Sequence, residues 1–357
     1  VYEEAEKDSM LLKELSEAIG VSGNEAAVRQ IILKAIEGHA SDIQVDSMGN
    51  VLAHKPGTGE NPVKVMLAAH MDEIGFMVTG FDGDGLIRFT NVGGIDARIL
   101  PGLRVKVGDK QLPGVIIWTP IHLNRDQNVV KIENLRIDIG ATSKDGASGK
   151  VKRGERIVFD SYYAELSADI VRGKAFDDRV GCSVLVDVLQ GGPYPVDIVA
   201  AFTVQEEIGL RGARVAAQRF MPDVALVLEG TTAHDLPNPL ANPDDHEPVN
   251  PTSKLGAGPA LTVIDNSMIT PPHLLRFLQN TAEAENIPYQ FKTNRGGGTD
   301  AGSIHISSGG IPSAVISVPC RYIHSPVALL NRQDYANTLR LVQAALFALT
   351  SDIINRK

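Results

Sequence analysis

Cysteine is nearly absent: the 357-residue chain has two, Cys182 and Cys320. Two distant cysteines exclude a disulfide framework and a cysteine-rich zinc motif, and are expected to be buried thiols in a reducing compartment. Tryptophan occurs once and aromatic residues make up 5%, which argues against a cleft of sugar-stacking rings. No Lys/Arg run interleaves with aromatics, and the formal net charge is −9 with a pI near 5.5. Nucleic acid is therefore not an expected partner. No apolar stretch reaches membrane-spanning length, so no membrane partner is expected. The stretch Val1-Tyr2-Glu3-Glu4 lacks the charged-then-apolar profile of a secretory leader, and the expected location is cytoplasmic. The chain also lacks a Gly-x-Ser-x-Gly elbow, and neither cysteine has an activating neighbour. What remains, 43% apolar and 22% charged residues, is the composition of a soluble globular protein of one large or two ordinary domains.

Periodicity divides the chain. Residues 10–19 have helical apolar spacing and stop at Gly20, and Ser22-Gly23-Asn24-Glu25 matches a capping box before a second helix at roughly 25–37. Runs at 43–46 and 51–53 flank a turn-prone stretch, a hairpin signal. Residues 63–69 are mostly apolar, as in a strand buried on both faces. From about 73 to 165 the runs are short and separated by Gly93-Gly94, Pro101-Gly102, Pro113-Gly114 and Asp145-Gly146, which predicts a small β-barrel or sandwich. From about 166 onward, strand and helix patterns alternate, ending in one long helix over 333–354. The expected organisation is an α/β domain made of residues 1–72 and 166–357, interrupted by a β-domain at 73–165. The loop at 231–258, rich in Pro, Asn and Asp, is expected to be mobile.

Metal-binding side chains recur at the ends of the apolar runs. His70 and Asp72 follow one strand; Asp177-Asp178-Arg179 opens a helix; Glu206-Glu207 and Glu229 end two further runs; His324 follows Val318-Pro319-Cys320-Arg321-Tyr322. Strand ends on one edge of an open α/β sheet converge on a single crevice. Imidazoles and carboxylates gathered there suit zinc, cobalt or manganese. Asp72 is placed to orient His70, since a ligating imidazole commonly donates its second N–H to a carboxylate. Asp177 is the better bridging candidate, because Asp178 can cap the helix and Arg179 can balance the charge. In the Glu206-Glu207 pair, one carboxylate can coordinate while its neighbour moves protons. Gly296-Gly297-Gly298-Thr299-Asp300 lacks the Lys and spacing of a phosphate loop. Gly297, Gly298, Thr299 and Asp300 are expected instead to bring backbone close to a bound substrate.

At these residues the chain resembles the tetrahedral-assembly (TET) aminopeptidases, a family that includes glutamyl and deblocking aminopeptidases and proteins once labelled cellulase M. The matching motifs are Ala69-His70-Met71-Asp72-Glu73-Ile74-Gly75, Lys174-Ala175-Phe176-Asp177-Asp178-Arg179-Val180-Gly181 and Gln205-Glu206-Glu207-Ile208-Gly209-Leu210-Arg211-Gly212-Ala213. Gly297-Gly298-Thr299-Asp300-Ala301 and Val318-Pro319-Cys320-Arg321-Tyr322-Ile323-His324-Ser325 complete the set, in order and spacing over nearly the whole chain. The resemblance implies an α/β fold: a metallopeptidase domain with a mixed, mainly parallel sheet covered by helices, plus an inserted β-barrel-like domain for assembly. It implies two divalent ions per subunit, Zn²⁺, Co²⁺ or Mn²⁺. Asp177 would bridge them, His70 and Glu229 would complete one site, and Glu207 and His324 the other. Glu206 would be the general base and Asp72 the support of His70. Many members have Asp where this chain has Glu229. The implied partners are peptide substrates and further copies of the chain, in a dodecamer built from dimers. The competing readings are an endoglucanase-type glycoside hydrolase, which needs two carboxylates about a sugar ring and no paired metals, and a metal-free assembly protein.

Overall fold

A computed structural model describes residues 2–118, 122, 128–236 and 253–354. The chain opens with α1 (Tyr2–Glu17), α2 (Ala26–Ile36), β1 (Ser41–Val45), β2 (Val51–Lys55) and β3 (Lys64–His70). Next come β4 (Gly75–Phe81), β5 (Ile87–Val92), β6 (Arg104–Val107), β7 (Leu112–Ile117), β8 (Arg136–Asp138), α3 (Lys144–Ser148) and β9 (Arg156–Phe159). After β10 (Ala164–Glu165) and β11 (Ile170–Gly173), helices and strands alternate: α4 (Phe176–Gln190), β12 (Asp197–Thr203), α5 (Arg211–Phe220) and β13 (Val224–Thr232). The rest is β14 (Ala260–Thr262), α6 (Pro272–Ala284), β15 (Gln290–Lys292), α7 (Asp300–Ile304), β16 (Ser313–Arg321), β17 (Ala328–Asn331), α8 (Arg332–Ala348) and α9 (Ser351–Ile354).

The large sheet runs β1-β2-β12-β3-β13-β16-β17-β11-β10, with β14 beside β16 and β15 beside β14. Its centre, β12-β3-β13-β16, is parallel, and its flanks are antiparallel. The central strands read as continuous apolar runs because helices cover both faces. Along β3, Val65, Leu67 and Ala69 join the larger core under α2 and α4, while Met66 and Ala68 join a second core under α5 and α7. The same alternation holds in β12 and β13, as the two-residue period of a strand requires. Alanines dominate the second core (Ala213, Ala216, Ala217 and Ala301), so α5 and α7 can lie close to the sheet.

Six antiparallel strands close a barrel in the order β4-β5-β8-β7-β6-β9. Phe76 centres its core, edge-on to Phe89 at 5.1 Å and to Phe159 at 5.5 Å. Closure removes the exposed strand edges that an open sheet of such short strands would present.

Several local expectations are corrected. The capping box does not form. Ser22 Oγ donates to Asp72 at 2.6 Å instead, and Glu25, the residue before α2, accepts from the backbone of Gly23. The final helix is two helices, because Leu349 takes an extended conformation between α8 and α9. The first helix begins well before residue 10 and ends at Glu17. Most of the 231–258 loop lies outside the described residues. Its described ends are fastened: Ala233 bridges Ser253, and the buried Asp334 accepts from the amides of Gly256 and Gly258.

Candidate metal centre

Carboxyl ends of the parallel strands supply the site. His70 is the last residue of β3, and Thr203, its partner in β12, is followed within four residues by Glu206 and Glu207. Glu229 lies inside β13 opposite Ser317 of β16. His324 follows β16 after a turn in which Tyr322 and His324 both have positive φ. Asp177 and Asp178 interrupt the first turn of α4 with non-helical dihedrals, so their carboxylates leave the helix in different directions.

Asp177 stands between the imidazoles. Its Oδ1 is 3.1 Å from His70 Nε2 and its Oδ2 is 3.2 Å from His324 Nε2. Glu229 Oε1 lies 3.4 Å from the same nitrogen of His70, and Glu207 Oε1 3.3 Å from that of His324. Glu206 is further back, 4.0 Å from His70 Nε2. Ligand atoms lie within 4.8 Å of one another in two groups, His70–Asp178–Glu229 and His70–Asp177–Glu207. Asp178 in the first group is already occupied: its oxygens accept from the amides of Gly181 at 2.9 Å and His70 at 3.0 Å. It caps the helix and fixes the end of β3, whereas Asp177 faces the imidazoles.

Two expected partnerships differ. Asp72 meets His70 mainly through its backbone carbonyl, 3.0 Å from Nδ1, with its carboxylate at 3.5 Å. That carboxylate accepts from Ser22 Oγ and from the amides of Glu206 (3.0 Å) and Glu207 (3.2 Å), so it clamps the glutamate pair to β3. Arg179 does not balance the aspartates beside it. It is fully buried, pairs with Glu73 at 3.3 Å and donates to the carbonyls of Leu15 and Ala18 at the end of α1.

Among the described residues, seven carboxylates (Asp72, Asp177, Asp178, Glu206, Glu207, Glu229, Asp300) gather around two imidazoles. Burial pushes Glu229 up to about 8 and Asp300 up to about 6, and raises Glu206 and Glu207 as well. Burial alone would lower the histidines, but the carboxylates outweigh it. Asp177 and Glu207 hold His324 near 11, and Glu229 and Glu206 hold His70 well above its usual range. Burial also opposes ionisation of Asp177, but the two imidazoles keep it well below the carboxylate range. Such a cluster is short of positive charge. Glu229 Oε2 is buried without a hydrogen-bond partner, an arrangement that is costly unless a cation faces it. The donor set, two imidazoles with carboxylates, fits Zn²⁺ and its neighbours.

The site opens into a crevice of about 730 Å³, whose lining includes Asp177, Glu206, Glu207, Glu229 and His324. Lys292, Asn294, Gly296, Gly297, Gly298 and Thr299 form another part of its wall. Asp300 does not line it. Its side chain turns inward and accepts from Thr203 Oγ1, because the first turn of α7 packs against the sheet. Asp235, the next carboxylate beyond Glu229 along the chain, is held by Arg321 at 2.6 and 2.9 Å and by the amide of Leu255. Gly94 was legible only as a turn, yet it lines the crevice beside His324.

A family profile described as M42 glutamyl aminopeptidase matches residues 49–341. The chain belongs to the M42 family. The M42 chain is thus a metallo-aminopeptidase, a hydrolase that depends on divalent metal ions. The TET aminopeptidase of a marine sediment archaeon (Thaumarchaeota) superposes with a TM-score of 0.92 at 38% identity, covering 98% of this chain and 99% of that one. The TET1 peptidase of Pyrococcus horikoshii, described as assembling into a tetrahedron or a large octahedral shell, gives 0.84 at 34% identity, covering 96% and 100%. A Thermotoga maritima protein named endoglucanase gives 0.78 at 38% identity, covering 96% and 98%. Among the described residues, no helix is long and apolar enough to cross a membrane.

Proposed function

We propose that this M42 aminopeptidase removes N-terminal residues from peptides at a centre of two divalent ions, Zn²⁺ or Co²⁺ with Mn²⁺ as a further candidate. The observation that carries the reading is Asp177, whose two oxygens reach toward two imidazoles at 3.1 and 3.2 Å. His70 and Glu229 would complete one ion's ligands, and Glu207 and His324 the other's. When bound, such ions polarise the scissile carbonyl and make water a nucleophile near neutral pH. The remaining work falls to the chain. Asp72 holds the backbone of Glu206 and Glu207, so each glutamate keeps its own direction. Glu206 stands off the imidazoles, and burial raises its affinity for a proton. It takes the proton of the attacking water and returns it to the leaving amine. Gly297, Gly298 and Thr299 offer backbone to the peptide along one wall of the crevice.

The TET1 peptidase's assembly supports a homo-oligomer here as well. We assign that role to a domain at 73–165 containing the barrel, and the chemistry to residues 1–72 and 166–357. The endoglucanase name of one relative does not match the site: a glycosidase sets two carboxylates across a sugar ring without imidazoles or ions. The deciding experiment is chelation followed by metal return, with aminoacyl-chromophore and cellulose substrates in parallel. Aminoacyl hydrolysis should vanish on chelation and return with Zn²⁺, Co²⁺ or Mn²⁺. Full activity in demonstrably metal-free protein, or turnover of cellulose alone, would overturn the reading.

A further inference from the structure

Each imidazole has one nitrogen facing carboxylates and the other facing a backbone carbonyl, but the two carbonyls come from different parts of the molecule. For His70 the carbonyl belongs to Asp72, two residues on and 3.0 Å from Nδ1. For His324 it belongs to Gly94, 230 residues away in the turn after β5 of the barrel and 2.8 Å from Nδ1. His324 gains from an outside partner, because it lies between β16 and β17 at φ 57° with its side chain 38% exposed.

The turn is built for close approach. Gly93 has φ 87°, and a Cβ there would come within 2.7 Å of Ile74 and 3.4 Å of Glu207 Cβ. A Cβ on Gly94 would lie 3.3 Å from His324 Nδ1. Asn91 Nδ2 donates to the Gly93 carbonyl at 2.9 Å and pins the turn from the barrel side. One turn of the barrel therefore packs against both Glu207 and His324.

We propose that the Gly93-Gly94 turn is a positioning element for the ion held by Glu207 and His324, and that the ion held by His70 and Glu229 does not depend on it. The inference rests on the ligand assignment above. A carbonyl only accepts, so Nδ1 of His324 carries a proton, and Nε2, which faces Asp177 and Glu207, is the nitrogen left to give up its proton and offer a lone pair when an ion binds. A displacement of the barrel would then alter one half of the metal centre and spare the other.

The test is calorimetric titration of Zn²⁺ into chelator-stripped, full-length protein. Gly94 lies outside the left-handed region, so Gly94→Val crowds the imidazole without straining the backbone. One binding step should weaken by roughly 10- to 100-fold, the range for losing a ligand's outer partner, while the other stays within about twofold. Asn91→Ala should weaken the same step less. His324→Ala should abolish that step and His70→Ala should preserve it. If Gly94→Val binds both ions with unchanged affinity, or loses both equally, while His324→Ala loses one, the positioning role is wrong and the ligand assignment stands. If His324→Ala still binds two ions normally, the ligand assignment itself falls, and this inference with it. Should Gly94→Val fail to fold, Gly94→Ala and Asn91→Ala give the same reading.

Discussion

Glu206 and Glu207 share a backbone clamp on Asp72 but face different groups. Glu207 lies 3.3 Å from His324, whereas Glu206 comes no closer than 4.0 Å to His70. Replacing Glu206 by Gln should therefore leave both ions bound and lower kcat by roughly 10²-fold or more, the scale of a general base. Metal content and single-turnover rates measured on the same sample check this; loss of an ion with normal turnover per remaining metal would reverse the two roles. Glu229 is distinguished from Asp235 in the same way. The former has a buried oxygen without a partner, while the latter is satisfied by Arg321 and Leu255. Glu229→Ala should weaken the ion of His70 by more than the roughly 10- to 100-fold typical of an outer-partner loss. Asp235→Ala should bind two ions normally, and metal titration of both variants decides.

At the scale of elements, the sequence was most legible where a run was long and buried on both faces. β3 and β12 follow their apolar runs closely, and His70, Glu206 and Glu207 at their ends were found for that reason. Strands of two or three residues, such as β8, β10, β14 and β15, carry no pattern of their own and exist only through pairing with neighbours. The capping box failed because Ser22 has a stronger use: its hydroxyl satisfies the buried Asp72. Arg179 was misread for a related reason, since adjacency in sequence suggested a partner that burial directed elsewhere. Its true partner, Glu73, also accepts from Lys174 at 2.8 Å, and Lys174 donates to the carbonyl of Ala18. This cluster ties the end of α1 to the segments that lead out of β3 and into α4. Lys174 is 2% exposed, and removing one partner of a buried ion pair typically costs about 3–5 kcal/mol. Lys174→Met should lower unfolding stability on that scale in urea titrations of metal-free protein. A change below about 1 kcal/mol, the range of exposed pairs, would show that Arg179 alone suffices for Glu73.

Across the whole molecule, the α/β part and the barrel are joined by more than the covalent chain, and a deletion can separate what each contributes. The barrel strands run from Gly75 to Phe159, and Glu73 must be kept because Lys174 and Arg179 depend on it. The informative variant therefore replaces residues 75–160 with a short linker and leaves β10 and β11 to pair in the large sheet. Val115, 40% exposed on β7, and Val129, 53% exposed, are apolar groups on the deleted part that suit burial between subunits. If that part carries the assembly contacts, the truncated protein should sediment as smaller particles than the intact chain. It should also bind the His324 ion more weakly, because the Gly94 carbonyl leaves with the barrel. Gly94→Val in the full-length chain should reproduce the metal defect with unchanged sedimentation, so the two consequences can be read apart. A folded truncated protein that sediments like the intact one would remove the barrel from the assembly. If that protein also held both ions at full strength, the barrel would have no part in the metal centre either.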